Sequence, residues 1–151
     1  MPTGLLFECD ETVANWLFQR NNWPIYKYDK AIGLVNEEGN LIGAVLLQHW
    51  NGNNIELSYY GRNTLSLGVI RCLARYLLSS FSPARVTVTT RKKNRSLIRS
   101  LQKLGFRLEG MMRCFYGLND CNRNTGVRFV MFRADIEKLA KTPIQAVPKC
   151  L

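Results

Sequence analysis

The chain has one histidine, His49, and its five cysteines form no CxxC pair. Only Cys114 and Cys121 lie close in sequence, and no histidine cluster accompanies them, so the spacing of a zinc site is missing and no metal is expected. An odd, scattered set of cysteines also argues against a disulfide framework; reduced thiols in a cytoplasmic setting are the expectation. Cys72 falls on the apolar face of a helical pattern and reads as a small core hydrophobe. No apolar run is long and clean enough to span a bilayer, because the longest, Leu65 to Phe81, is broken by Arg71 and Arg75. Met1-Pro2-Thr3-Gly4 offers no basic leader, so secretion is not expected. No Ser-His-Asp or Cys-His arrangement stands out, so chemistry that needs no covalent enzyme intermediate suits the chain better. Repeats, low-complexity tracts and linkers are absent too.

The most telling absence is local. From Leu57 to Leu108 there is no Asp or Glu, yet the stretch holds 11 of the 21 Lys and Arg residues. The net charge of +10 therefore sits in this segment, and the rest of the chain is close to neutral. Folded into one layer, such a segment makes a positive field that concentrates anions. Zinc-finger spacings and RNP-type aromatic segments are lacking, which weakens a nucleic-acid reading. A polar loop before a helix and an Asn-capped helix ending in Gly-Phe point instead to a phosphorylated cofactor.

What remains is an ordinary globular composition, 151 residues with 46% hydrophobic content, enough for one domain with a proper core. Gly4 to Cys9 reads as an opening strand, and Asp10 as the N-cap of a helix to about Arg20 with Trp16 and Leu17 on its apolar face. Pro24 breaks the chain there. Strands follow at 31–36, 41–50 and 54–60, linked by turns at Glu37-Glu38-Gly39-Asn40 and Asn51-Gly52-Asn53. The period then becomes helical from about Thr64 to Phe81, with Val69, Ile70, Leu73, Tyr76 and Leu77 inward and Arg71, Arg75 and Ser79 as a wet face. Arg85 to Thr90 is a strand. Asn94 caps a second amphipathic helix with Leu97, Ile98, Leu101 and Leu104 inward and Arg95, Arg99 and Lys103 outward; Gly105 ends it. Strands at 107–116 and 127–134 are joined by a long polar connection, and a short helix follows Asp135. The order β-α-β-β-β-α-β-α-β-β describes a single α/β domain, residues 1–141, on a mixed sheet. The strands flanking the long helix are expected as parallel neighbours. Residues 142–151, with Pro143 and Pro148, are expected to form a flexible tail.

From about Ala31 to Ala134 the chain resembles the GNAT acyltransferase superfamily, which moves an acyl group from coenzyme A to an amine. Asn94-Arg95-Ser96-Leu97 through Leu104-Gly105-Phe106 to Glu109-Gly110 is similar to the family's Asn-capped helix that ends in Leu-Gly-Phe and runs into a strand. The meander, helix and strand follow in the family's order. Arg62-Asn63-Thr64-Leu65-Ser66-Leu67-Gly68 stands at the cofactor loop, with Arg62 matching its first position. Two departures stand out. Leu65 and Leu67 occupy the loop's glycine positions, with Gly68 displaced by one. Leu101 stands where many members carry a tyrosine that acts as general acid.

The resemblance implies a splayed central pair of parallel strands that holds acetyl-CoA or another acyl-CoA as cosubstrate, without metal. Leu57, Ser58, Tyr59 and Tyr60 would hold the pantetheine arm. Asn94 would offer its side-chain amide, and Leu67 and Gly68 would lie in the loop against the pyrophosphate. Arg62, Arg95 and Arg99 would meet the phosphates. Glu56, on the strand leading into the loop, is the candidate base, and the alternative for it is an ion pair with an arginine across the sheet. His49 could pass the proton through water instead. With Leu101 in place of the tyrosine, Tyr116, Tyr59 and Tyr60 are left as proton donors, Tyr116 preferred. The acceptor would be an amine on an acidic or neutral scaffold, and the chain a monomer or homodimer. A different class stays open: a catalytically inactive domain of this type that binds nucleic acid or an acidic protein through its basic face.

Overall fold

In the computed structural model of the chain, residues 4–21, 27–61, 65–141 and 149–150 are described, except for the side chains of residues 21, 149 and 150. The meander consists of β1 (Gly4–Leu6), β2 (Lys30–Val35), β3 (Leu41–Gln48) and β4 (Asn54–Gly61), with α1 (Asp10–Asn21) between the first two strands. Its tight turns follow from local side-chain bonding. Asn36 Oδ1 accepts from the N–H groups of Glu38 and Asn40, and Gly39 takes the positive φ that the turn requires. Asn51 Oδ1 does the same for Asn53 and Asn54, with Gly52 at φ 93°.

Alternation along these strands loads both faces of the sheet. Ile32, Leu34, Val45, Leu47 and Ile55 form the main core with Val69, Cys72, Leu73 and Leu77 of α2 (Leu67–Ser80) and Ile136 of α4 (Arg133–Lys141). On the other face, Ala31, Ala44 and Leu46 pack against Val13 and Leu17 of α1. The small residues let the helix come close: a Cβ on Gly33 would lie 3.2 Å from Val13 and 2.6 Å from Leu41. A third cluster joins Val88 of β5 (Arg85–Arg91) and Val127 and Phe129 of β7 (Gly126–Phe132) to Leu101 of α3 (Arg95–Leu104).

With β6 (Arg107–Met112) and β8 (Lys149–Cys150), the strands make one mixed sheet in the order β6-β7-β5-β4-β3-β2-β1-β8. The strands flanking α2 are parallel neighbours, as expected, but their ladder is short. It pairs Asn54 with Arg85, Ile55 with Val86 and Glu56 with Thr87. β4 then continues to Gly61 and β5 to Arg91, so the two strands part as a V. β4 stays paired with β3 up to Gly61 and β5 with β7 up to Arg91.

Several expectations are corrected. Asp10 is the first helical residue of α1, and its carboxylate reaches across to the Ala31 N–H at 2.9 Å. The opening strand stops at Leu6. β6 stops at Met112, because Cys114 adopts φ 56° and the N–H groups of Phe115 and Tyr116 both turn to the Asn124 carbonyl. The Arg71–Arg75 stripe of α2 does not simply face water: α4 packs beside it, and Arg75 Nε donates to the Ala140 carbonyl at 2.9 Å. Cys72 is buried at 5% exposure as expected, but it is disulfide-bonded rather than reduced, whereas Cys9, Cys114 and Cys121 are free. Sequence spacing could not give this, since a disulfide depends on which Cβ atoms the fold brings within about 4 Å. Of the expected loose tail, 142–148 and 151 lie outside the described residues, and Lys149–Cys150 adds a two-residue parallel strand to β1.

Candidate active site

The V between β4 and β5 organises the site. α2 starts beside its open end, and Ser66 caps it: the Ser66 hydroxyl accepts from the Val69 N–H at 3.3 Å, and the Ser66 carbonyl accepts from Ile70. The first-turn amides of Leu67 and Gly68 lack intrahelical acceptors by the geometry of a helix start. Gly68 is buried and Leu67 is 55% exposed. Arg62 lies outside the described residues. Leu57 and Tyr59 turn toward the α2 core, and Tyr60 toward the cluster under α1. Ser58 shares the face of Tyr60, and its hydroxyl donates to Gln48 Oε1 at 3.3 Å.

At the closed end of the V stands Glu56, the last β4 residue paired with β5. Its side chain is 25% exposed and both oxygens are engaged. Oε1 accepts from Arg128 Nη2 at 3.1 Å, and Oε2 meets His49 Nδ1. Arg128 comes from β7 and crosses β5 on the way, with Nε donating to Thr89 Oγ1 at 3.4 Å. The alternative considered for Glu56, an ion pair across the sheet, is therefore present, and His49 joins it. Arg128 was missed in the sequence; the signal for it is a lone charge within the apolar run Gly126–Phe132.

Tyr116 does not join Glu56. It stands with Tyr60 toward the open end, under the Arg91 guanidinium, which lies 4.3 Å from its ring centroid. Arg91 Nη1 also donates to the Arg123 carbonyl at 2.9 Å, which ties β5 to the loop carrying Tyr116. Burial pushes the Tyr116 phenol above the usual tyrosine range; Arg91 partly offsets this and Tyr60 adds to it. Tyr59 and Tyr60 are raised by burial as well.

Asn94 caps α3 as expected, accepting from the Leu97 N–H at 3.4 Å, while its Nδ2 faces Thr90 Oγ1 at 3.5 Å. Its amide is thus already engaged at the mouth of the V. Arg95 and Arg99 are exposed on the outer face of α3, and Leu101 is buried in the core.

A mixed sheet whose central parallel pair separates after three residue pairs, with a helix starting at the mouth, defines the class: the chain has the fold of the GNAT acyltransferase superfamily. Among solved structures, the spermidine/spermine N-acetyltransferase SpeG from Vibrio cholerae, in complex with manganese ions, aligns over 83% of this chain and 76% of its own at 14% identity, with a TM-score of 0.65. A GCN5-related N-acetyltransferase from Brucella melitensis aligns over 84% of this chain and 60% of its own at 18% identity, with a TM-score of 0.60. At these identities the likeness is one of fold. No family model matches the chain, and no curated protein matches its sequence.

Proposed function

We propose that the chain transfers an acetyl or other acyl group from coenzyme A to an amine by direct attack in a ternary complex. The observation that carries this reading is the short β4–β5 ladder. Beyond Glu56 and Thr87, each strand turns toward the V an edge that its partner has left. An extended pantetheine arm can be held along Leu57, Ser58, Tyr59 and Tyr60 as an added strand would be. The first-turn amides of Leu67 and Gly68 suit a pyrophosphate at the start of α2, and Arg62, five residues before Leu67 in the chain, is our candidate cation for it. Leu67 turns its side chain to solvent, so a leucine in the glycine position leaves its amide accessible. Asn94, Arg95 and Arg99 line the approach from α3, where the cations suit the 3′-phosphate.

A cosubstrate bound this way brings its thioester toward the closed end, beside Glu56. The amine attacks the carbonyl, the C–N bond forms and the C–S bond breaks. The amine proton leaves through the Glu56 cluster. As the product arm withdraws toward the open end, Tyr116, kept protonated there by burial, is our candidate donor to its thiolate.

The acceptor face carries Arg91, Arg123 and Arg128, and Glu56 is already paired. We therefore assign the acceptor to amines on acidic or neutral scaffolds, unlike the polyamines named for the Vibrio enzyme. The test is amine-dependent release of free thiol from acetyl-CoA across a panel of primary amines. Turnover is expected with an amino acid or acidic peptide amine, and slower turnover with spermidine. A chain that releases thiol with none of them contradicts the reading.

The buried Leu101 in place of a tyrosine favours the second reading, a non-catalytic domain that binds nucleic acid or an acidic protein through the 57–108 basic segment. Retention on an anionic matrix without any effect of acetyl-CoA would support it.

A further inference from the structure

We propose that His49 is the base that takes the amine proton, with Glu56 as the positioning carboxylate and Arg128 as the anchor of Glu56. The assignment rests on the acyltransferase reading above and names the proton acceptor of that site.

An ionised carboxylate paired with a guanidinium only accepts hydrogen bonds. With Oε1 on Arg128 Nη2 and Oε2 on His49 Nδ1, the proton between Glu56 and His49 belongs on Nδ1. Nε2 then presents its lone pair outward. Accessibility points the same way: the His49 side chain is 65% exposed and that of Glu56 25%. An incoming amine meets the imidazole first. A base held in one tautomer by a carboxylate is the arrangement general-base catalysis uses elsewhere.

The backbone adds a separate observation. Strict alternation along β3 would turn His49 to the face of Val45 and Leu47, away from Glu56. Instead His49 adopts φ 56°, a left-handed step that a side-chain-bearing residue takes at a cost, and this step swings the imidazole onto Glu56. Three bonds hold the strand end on either side of it. The Trp50 N–H donates to Asp29 Oδ2 at 2.9 Å, the Asp29 N–H to the Leu47 carbonyl at 2.7 Å, and Gln48 Nε2 to the Lys27 carbonyl at 2.8 Å. Among the described residues, the charged group that meets the imidazole is Glu56 from β4, with Arg128 from β7 on the carboxylate's other oxygen and Asp29, from the segment before β2, bonded to the N–H of the next residue, Trp50. As the amine attacks, its proton passes to Nε2, and the imidazolium so formed is stabilised by Glu56. The ring later gives the proton to water through its exposed edge.

His49 is the chain's single histidine, so its ring signals stand alone in a long-range ¹H–¹⁵N spectrum. At a pH where the ring is neutral, the Nδ1–H tautomer is expected in the native chain. Glu56→Ala is expected to shift the ring to the Nε2–H form that free histidine prefers. An Nε2–H tautomer in the native chain overturns the assignment. The second measurement is kcat/KM for thiol release from acetyl-CoA, across pH, with the fastest amine of the panel. His49→Gln is expected to lose about 10²-fold and the ascending limb of the profile, with acetyl-CoA affinity unchanged. Native kinetics in His49→Gln overturn the role of His49 alone. A native chain that does not bind acetyl-CoA overturns the acyltransferase reading and the base with it.

Discussion

Glu56 is one of three linked residues. Its oxygens are shared between Arg128 and His49, and losing its charge releases both partners. Glu56→Gln is therefore expected to keep the fold and acetyl-CoA binding while lowering turnover by about 10²-fold or more, the usual scale for disabling a general base. Steady-state kinetics beside a melting curve check this, and a variant with native turnover would make Glu56 purely structural. The tyrosines give a pH prediction. Tyr59, Tyr60, Tyr76 and Tyr116 are all raised, burial being the leading cause in each. A group whose folded pKa is raised contributes stability that is fully present below the unfolded value, about 10 for tyrosine, and is lost as pH rises through the folded value. The fold is thus expected to weaken in the alkaline range as these phenols ionise late, which a phenolate absorbance titration beside circular dichroism can follow. Glu56 could be picked out in the sequence because it stands on the strand leading into the loop, where the family resemblance implies a candidate base. Its partner could not be named, since Arg128 lies 72 positions away and meets it only across β5. His49 stood in the sequence as a carrier of the proton through water, but its contact with Glu56 could not be foreseen, because nothing in the sequence announces a left-handed step at the end of β3.

Elements were the most legible scale, since periodicity and capping are local physics. The Asn94 cap, the α3 stripe and the Gly105 stop all follow from such signals. Gly105 adopts φ 107°, its N–H donating to the Gln102 carbonyl and that of Phe106 to the Leu101 carbonyl. Gly105→Val is expected to cost roughly 1 kcal/mol or more, because a β-branched side chain is strained there. A denaturant midpoint equal to that of the native chain would mean that this helix end carries no such constraint. Element ends and neighbours were less legible. The wet face assigned to α2 is correct in period, but α4 lies against it, and a nine-residue helix docking there leaves no local trace in α2. The early end of β6 likewise depends on Asn124, far along the connection, drawing in two N–H groups.

At the scale of the whole molecule, the carboxylate-free segment 57–108 becomes the open half of β4 with α2, β5 and α3, the elements around the V. Arg85 finds its carboxylate just past the segment's end, at Glu109. Much of the remaining charge is exposed, with Arg91, Lys92, Lys93, Arg95, Arg99 and Lys103 near the mouth of the V or on the outer face of α3. The fold turns a charge pattern legible in the sequence into a positive rim around the strands that part beyond Glu56 and Thr87, and the anion we propose for it is extended and phosphorylated. The direct test is the melting temperature of the intact chain with acetyl-CoA and with its dephospho form, at low and moderate salt. A ligand that binds only the native state raises it by mass action. Acetyl-CoA is expected to raise the melting temperature, with a smaller rise from the form lacking the 3′-phosphate and a difference that shrinks as salt screens the rim. No shift from either ligand at millimolar concentration would contradict an acyl-CoA cleft between β4 and β5.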